Sequence, residues 1–430
     1  MDKGQRNVET LSIVFCSFLC VFSLFFFENL SERTTFATNY LKSNNLKRDK
    51  MKDSNYSNPF ILGKKIPEEY FCDRQEETQT LLKQIKNGRN VALISPRRLG
   101  KSGLIHHCFA QKEIIEHYYT FYVDLYATSS LNELVLNLGS EVYRSLKTRK
   151  SRFLEKFFAM VQSLRLGFSI DSRTGDPTFD IGIGDIHTPE TTLAEIFAYL
   201  EAADKPCIVA IDEFQQIGEY PEKNVEALLR THIQRCSNSS FIFSGSKRHI
   251  MSNMFNSSSK PFYQSAITMG LGTIPKETYT DFAYRLFIAH DKEIDRDVIR
   301  MAYDRYEGYT WFVQMLMNEL FSMTNKGEKC TLEMLPEAEQ NILQMQGVSY
   351  ESTLSMLSIK QRQVLSAIAT EGYAQSVTSS SFIKKHRLVS ASSLQTALTA
   401  LLNKYIIVKT NDGYRIEDFF FATWLRTRNS

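Results

Sequence analysis

Residues 91–105 read VALISPRRLGKSGLI. Four apolar residues, short enough for a buried strand, run into a polar loop and then into a helix-compatible segment. The loop closes on Gly100-Lys101-Ser102, the tail of a phosphate-binding P-loop. In such a loop, backbone N–H groups and a helix N-terminus surround phosphates with positive partial charge. The lysine reaches the β- and γ-phosphates and the hydroxyl holds Mg²⁺. The residues expected to cradle the phosphates are Ser95, Pro96, Arg97, Arg98, Leu99, Gly100, Lys101, Ser102 and Gly103. Ser95 stands where the usual motif has its first glycine. Pro96 restricts it to extended geometry, which continues the strand instead of tightening the turn.

A second motif follows in the right order. CIVAIDEF, residues 207–214, is a buried-strand pattern ending in two acids. Asp212 is expected to hold Mg²⁺ through water, and Glu213 to polarise the water that attacks the γ-phosphate. GK followed by Ser or Thr arises about 0.2 times by chance in a chain this long, but both motifs in this order on the order of 0.01 times. The pair carries the reading; neither motif does so alone.

Composition agrees and narrows little. The 430 residues allow two or three domains, and 43% hydrophobic residues suffice for large cores. The formal charge of +3 implies no nucleic-acid or membrane partner by itself, but residues 350–430 hold ten Lys and Arg against five Asp and Glu. Seven scattered cysteines without a CxxC pair suggest neither a disulfide framework nor a zinc site. Residues 1–50 read as an extension with an uncharged apolar segment, 11–27, that is either a membrane tether or an upstream region outside the functional chain. The expected location is accordingly cytoplasmic, or membrane-tethered through 11–27.

Strands alternating with helices, each strand nearly all apolar, predict an α/β fold, a parallel sheet with helices on both faces. The core is expected over 58–275, with a hairpin insertion at about 164–184. A helical lid is expected over 276–350 and a winged helix-turn-helix over 351–430. The last rests on three helical segments followed by YIIVKT, Asn411-Asp412-Gly413 and YRIE, a two-stranded wing.

With these motifs placed, the chain resembles the archaeal-type ATPase family, AAA+-like P-loop proteins close to the STAND NTPases, in the bacterial branch carrying SPRRxGK[ST]. The resemblance covers about Asn58 to Asn429 and rests on YFCDRQEE, SPRRLGKS, VAIDEFQQI, FIFSGSKRHIMSNMF, PFYQS and YRIEDFFFATWLR. It implies a Mg²⁺-dependent ATPase working as a nucleotide-driven switch, alone or as a homo-oligomer. By position, Phe71 and Arg74 would lie near base and ribose, and Lys101, Ser102, Asp212 and Glu213 would be the Walker residues. Ser244 or Ser246 would be the polar sensor beside the γ-phosphate. Gly308-Tyr309-Thr310-Trp311 replaces a Gly-x-Pro adenine-contacting motif, without its proline. Arg230, Arg235 and Arg248 are the arginine-finger candidates, and Gln264 stands where many relatives have arginine.

The C-terminal module leaves a second reading open, a DNA-binding regulator with a slow or structural ATP site. Its third helix would present Ser392, Ser393, Gln395, Thr396 and Thr399, and Lys384-Lys385-His386-Arg387 could meet phosphates. A protein contact through the same module is the alternative.

Overall fold

The computed structural model describes residues 57–63, 66–147, 152–163, 167–170, 177–180 and 188–429. The apolar segment 11–27 and the turn expected inside 164–184 lie outside the described residues. The strands Gly167–Ile170 and Pro177–Asp180 pair antiparallel, as the alternating pattern predicts.

Five strands form the central sheet: β1 (Val91–Ile94), β2 (Tyr119–Asp124), β3 (Cys207–Asp212), β4 (Ser239–Gly245) and β5 (Ile267–Gly270). Their order is β2-β3-β4-β1-β5 and every pairing is parallel. Successive side chains point to opposite faces of a strand, so each apolar run must feed two cores. Val91 and Leu93 pack with Leu104, Ile105, Ile208 and Ile242 on one face. Ala92 and Ile94 pack with Val209, Ile211, Phe241 and Phe243 on the other. There Phe214, Phe243, Phe255 and Phe262 form a cluster with ring centroids 4.6–5.9 Å apart. The strand β5, within the segment after PFYQS, is an element the apolar pattern did not reveal. At the edge of the sheet it is largely exposed, so it lacks the signature of a buried strand.

A third core unites the rest. Phe60 and Tyr70, from ahead of β1, join residues of the helices Lys276–Ala289, Arg296–Arg305, Thr310–Met323 and Met334–Ser355. Leu365, Leu398 and Phe420 of the C-terminal module belong to the same core. The long helix Met334–Ser355 runs through residue 350, where the lid was expected to end.

The module itself has helices Ile359–Glu371, Ser380–Lys385 and Ala391–Asn403, started by Ser358, Ser379 and Ser390, whose side chains accept from backbone N–H groups three residues on. Such caps satisfy donors that the first turn leaves free. Ile407–Thr410 and Gly413–Ile416 make the antiparallel wing. Gly413 is obligatory: at φ +125° and with the Ala374 carbonyl oxygen 2.6 Å from where a Cβ would stand, no side chain fits. A last helix, Phe419–Asn429, packs against Met334–Ser355 and Ile359–Glu371; the sequence pattern does not predict it.

Phe243 is fully buried within the aromatic cluster. Phe243→Ala is expected to destabilise the sheet domain by about 3–5 kcal/mol, measured as an earlier urea transition in far-UV circular dichroism. A transition unmoved from wild type would contradict this packing.

Candidate functional site

The parallel register brings the tips of β1, β3 and β4 to one edge of the sheet, the place where open α/β sheets bind ligands. Because β4 lies between them, β1 and β3 end about 10 Å apart, leaving room for a group held from both sides.

From β1, Ser95 continues the ladder, its N–H donating to the Gly245 carbonyl at 3.3 Å. The chain then turns through two left-handed residues, Arg98 at φ +67° and Gly100 at φ +95°. Nothing lies within 4 Å of the position a Gly100 Cβ would take, so glycine is needed there for its backbone angle and not for space. The helix Lys101–Phe109 begins without a side-chain cap, which leaves its first N–H groups turned toward the crevice. Lys101 is only 6% exposed, and its Nζ donates to the carbonyls of Ser95 (3.0 Å) and Pro96 (3.1 Å). Burial lowers its pKa, while the nearby Glu213 and Asp212 carboxylates favour the charged form.

From β3, Asp212 faces the same helix. Its Oδ2 accepts from Ser102 Oγ at 2.8 Å and from the Tyr122 hydroxyl, and its Oδ1 accepts from the Glu213 N–H at 3.0 Å. Burial by itself would raise the Asp212 pKa, but the Tyr122 and Ser102 hydroxyls and the Glu213 N–H, with the Ser244 hydroxyl close by, outweigh it and hold the carboxyl below its ordinary range. Ser244 is fully buried beside it, without a directed hydrogen bond of its own. Glu213 occupies a left-handed conformation at φ +50°. Its carboxylate accepts from Ser246 Oγ at 2.7 Å and from Gln215 Nε2, and Ser246 in turn accepts from Arg97 Nε at 3.3 Å.

Between these groups lies a cavity of about 410 Å³. Polar Lys101, Ser102, Asp212 and Glu213 line it together with apolar Ile61, Ile66, Phe71, Cys72, Ile274 and Trp311. Phe71 is held flat against His107, centroids 4.0 Å apart and planes within 6°. Burial lowers the His107 pKa and pushes the Cys72 thiol up to about 12, which keeps the thiol protonated. Arg74 also lines the cavity, but its guanidinium donates to the carbonyls of Leu99 (3.1 Å) and Gly272 (2.7 Å) and to Glu77 (2.8 Å). It ties the P-loop to the N-terminal box. Thr310 and Trp311 reach the cavity from the helix Thr310–Met323, while Arg230, Arg235, Arg248 and Gln264 do not line it.

The oxygen donors Ser102 and Asp212 suit Mg²⁺, a hard cation usually held by one or two protein oxygens together with phosphates. Among the described residues no cluster of three His, Cys, Asp or Glu forms another metal cage. Sequence reasoning missed Tyr122 and Gln215. Gln215 stands two residues after Glu213 and could have been suspected; Tyr122 required the pairing of β2 with β3.

In the C-terminal module, Ser392, Gln395, Thr396 and Thr399 are exposed and Ser393 is half-buried. Lys385 and His386 both meet Glu371 at 2.6 Å, leaving Lys384 and Arg387 as the exposed cations of that cluster without such a pairing. Among the described residues no helix is long and apolar enough to cross a membrane.

Residues 348–427 match the model of a probable winged helix domain. No curated protein matches the chain. Among solved structures, the Walker-type ATPase PABY2304 of Pyrococcus abyssi is similar over 86% of this chain and 99% of its own, at 21% identity and a TM-score of 0.59. The ORC2 protein of Aeropyrum pernix, solved as ADPNP–ADP complexes, is similar over 86% of this chain and 98% of its own, at 14% identity and a TM-score of 0.51. At such identities the likeness is one of fold. The chain has the fold of the AAA+-type P-loop ATPases and ends in a winged helix domain.

Proposed function

We propose that this protein binds ATP with Mg²⁺, hydrolyses it to ADP and phosphate, and acts as a nucleotide-driven switch. One observation supports the reading above the others: a single cavity is lined by Lys101 and Ser102 on one side and Asp212 and Glu213 on the other. In this reading the base and ribose lie beside Phe71 and the wall that Arg74 braces. The phosphates lie along residues 95–103, against the uncapped helix start.

Phosphoryl transfer leaves the protein mainly the tasks of positioning and charge stabilisation. Ser102 and Asp212 would hold Mg²⁺, whose positive charge would offset that of the phosphates. Lys101 exchanges its two backbone carbonyls for phosphate oxygens. Ser244 offers a buried hydroxyl near the γ-phosphate, and Ser246 steadies Glu213. To take a proton from the attacking water, Glu213 must loosen its bonds to Ser246 and Gln215. An extra phosphate drawing Arg97 away from Ser246 would help release it. The winged helix would respond to the nucleotide by moving against the core.

The second reading, a DNA-binding regulator with a slow ATP site, draws support from the exposed polar face of Ala391–Asn403 and from Lys384 and Arg387. Duplex affinity that falls steeply with salt, and falls further on neutralising Lys384 and Arg387, would favour it.

Lys101→Ala is expected to abolish both nucleotide affinity and hydrolysis. Glu213→Gln is expected to keep affinity while turnover drops by about 10²-fold or more. Phosphate release reports turnover, and binding is read from the fluorescence of Trp311, which lines the cavity. Unchanged hydrolysis in both variants would defeat the assignment. Ser102→Ala is expected to remove most of the magnesium-dependent part of ATP affinity and leave the magnesium-free part in place, as seen by titrating Mg²⁺ against the same fluorescence.

A further inference from the structure

The P-loop arginines face the C-terminal module. Arg98 lies over the rings of Trp311 (4.6 Å) and Phe312 (4.5 Å), and its carbonyl accepts from the Trp311 N–H at 3.1 Å. Its guanidinium donates to Asp418 Oδ2 at 2.9 Å, with Glu417 Oε2 at 3.9 Å. These two acids join the wing strand Gly413–Ile416 to the last helix. Their side chains are 17% and 20% exposed. The segment is firmly placed. Arg415, only 4% exposed, lies over Tyr309 (5.0 Å) and Phe419 (4.5 Å) and donates to the carbonyls of Ile416 (3.0 Å) and Glu417 (3.3 Å). Asp418 Oδ1 accepts from the Phe421 N–H at 3.0 Å. A second contact lies alongside, with Arg97 and Lys247 both over the ring of Tyr405, at 5.2 and 4.5 Å. Glu417 also lies near enough to favour the charged form of Lys101.

An anion entering this loop therefore meets two carboxylates already paired with one of its cations. We infer that Glu417 and Asp418 are specificity-determining residues of the nucleotide site, competing with phosphate for Arg98 and so setting how strongly each added phosphate tightens binding. This rests on the phosphate-site reading above. Like charges in a shared, partly buried site oppose each other, and the penalty grows with the charge of the ligand. Adenosine, lacking phosphate, escapes it.

The test uses the full chain carrying Glu417→Gln and Asp418→Asn together, which keeps side-chain size and the acceptor for Phe421. Affinities for ATP, ADP and adenosine are measured by calorimetry. The expected result is an ATP Kd lower by about five- to tenfold, a smaller gain for ADP and none for adenosine. Unchanged or weaker ATP binding overturns the inference, and so does an equal gain for adenosine, which would mean the cleft had merely loosened. Should the double variant fail to fold, Asp418→Asn alone is expected to give about a threefold gain, and no gain overturns the inference. Lys101→Ala separates the two levels. If it abolishes ATP binding while the neutralised pair binds like wild type, only the competition fails. If it leaves ATP binding intact, the phosphate site falls and the competition with it.

Discussion

The architecture turns on a buried cation facing two carboxylates across the width of one strand. Lys101 is almost wholly out of water, which disfavours its charge, and Glu213 and Asp212 partly offset that cost. The compensation exists because β4 separates β1 from β3 while the parallel register ends all three at the same level. A register slip of one residue would turn Asp212 to the other face of the sheet, away from Ser102 and Tyr122. Sheet pairing and site chemistry are thus one constraint.

Around that constraint most polar groups have partners. Asp212 is surrounded by donors on both oxygens, and Glu213 is held by Ser246 and Gln215. Gln215 Oε1 and Ser244 Oγ remain buried without a directed partner. Unpaired buried polar atoms are uncommon in native folds, and each calls for an explanation such as an ordered water, an ion or a catalytic role. Glu213 is also a non-glycine residue in left-handed conformation, a cost of order 1–3 kcal/mol that is tolerated when the surroundings over-determine it. Here the buried Phe214 and the hydrogen bonds on either side of the backbone do so.

The C-terminal module does not stand apart from this centre. It shares a continuous apolar core with the lid, and its acidic pair grips Arg98 from the far end of the chain. Any shift of the P-loop arginines is therefore felt at the base of the wing. The shared core ties the module to helices 276–355, so movement of the module against the sheet domain would centre on Arg98, Tyr405 and Trp311.

Much of this was legible in one dimension. The apolar runs VALI (91–94), CIVAI (207–211) and FIF (241–243) announced buried parallel strands, because a strand covered on both faces is hydrophobic nearly throughout. GKS and DE, at the ends of two such runs, marked where phosphate chemistry could sit, since only tip residues escape the sheet. Three helical segments and the Asn-Asp-Gly turn outlined the C-terminal module, because such signals are local. Edge strand β5 and the last helix carried no comparable pattern. Tyr122 joining Asp212, Arg74 turning to Leu99 and Gly272, and Glu417 and Asp418 meeting Arg98 were decided by tertiary structure alone. Each pairs side chains from distant parts of the chain, and the energy that selects such a pair arises only when packing brings both out of water.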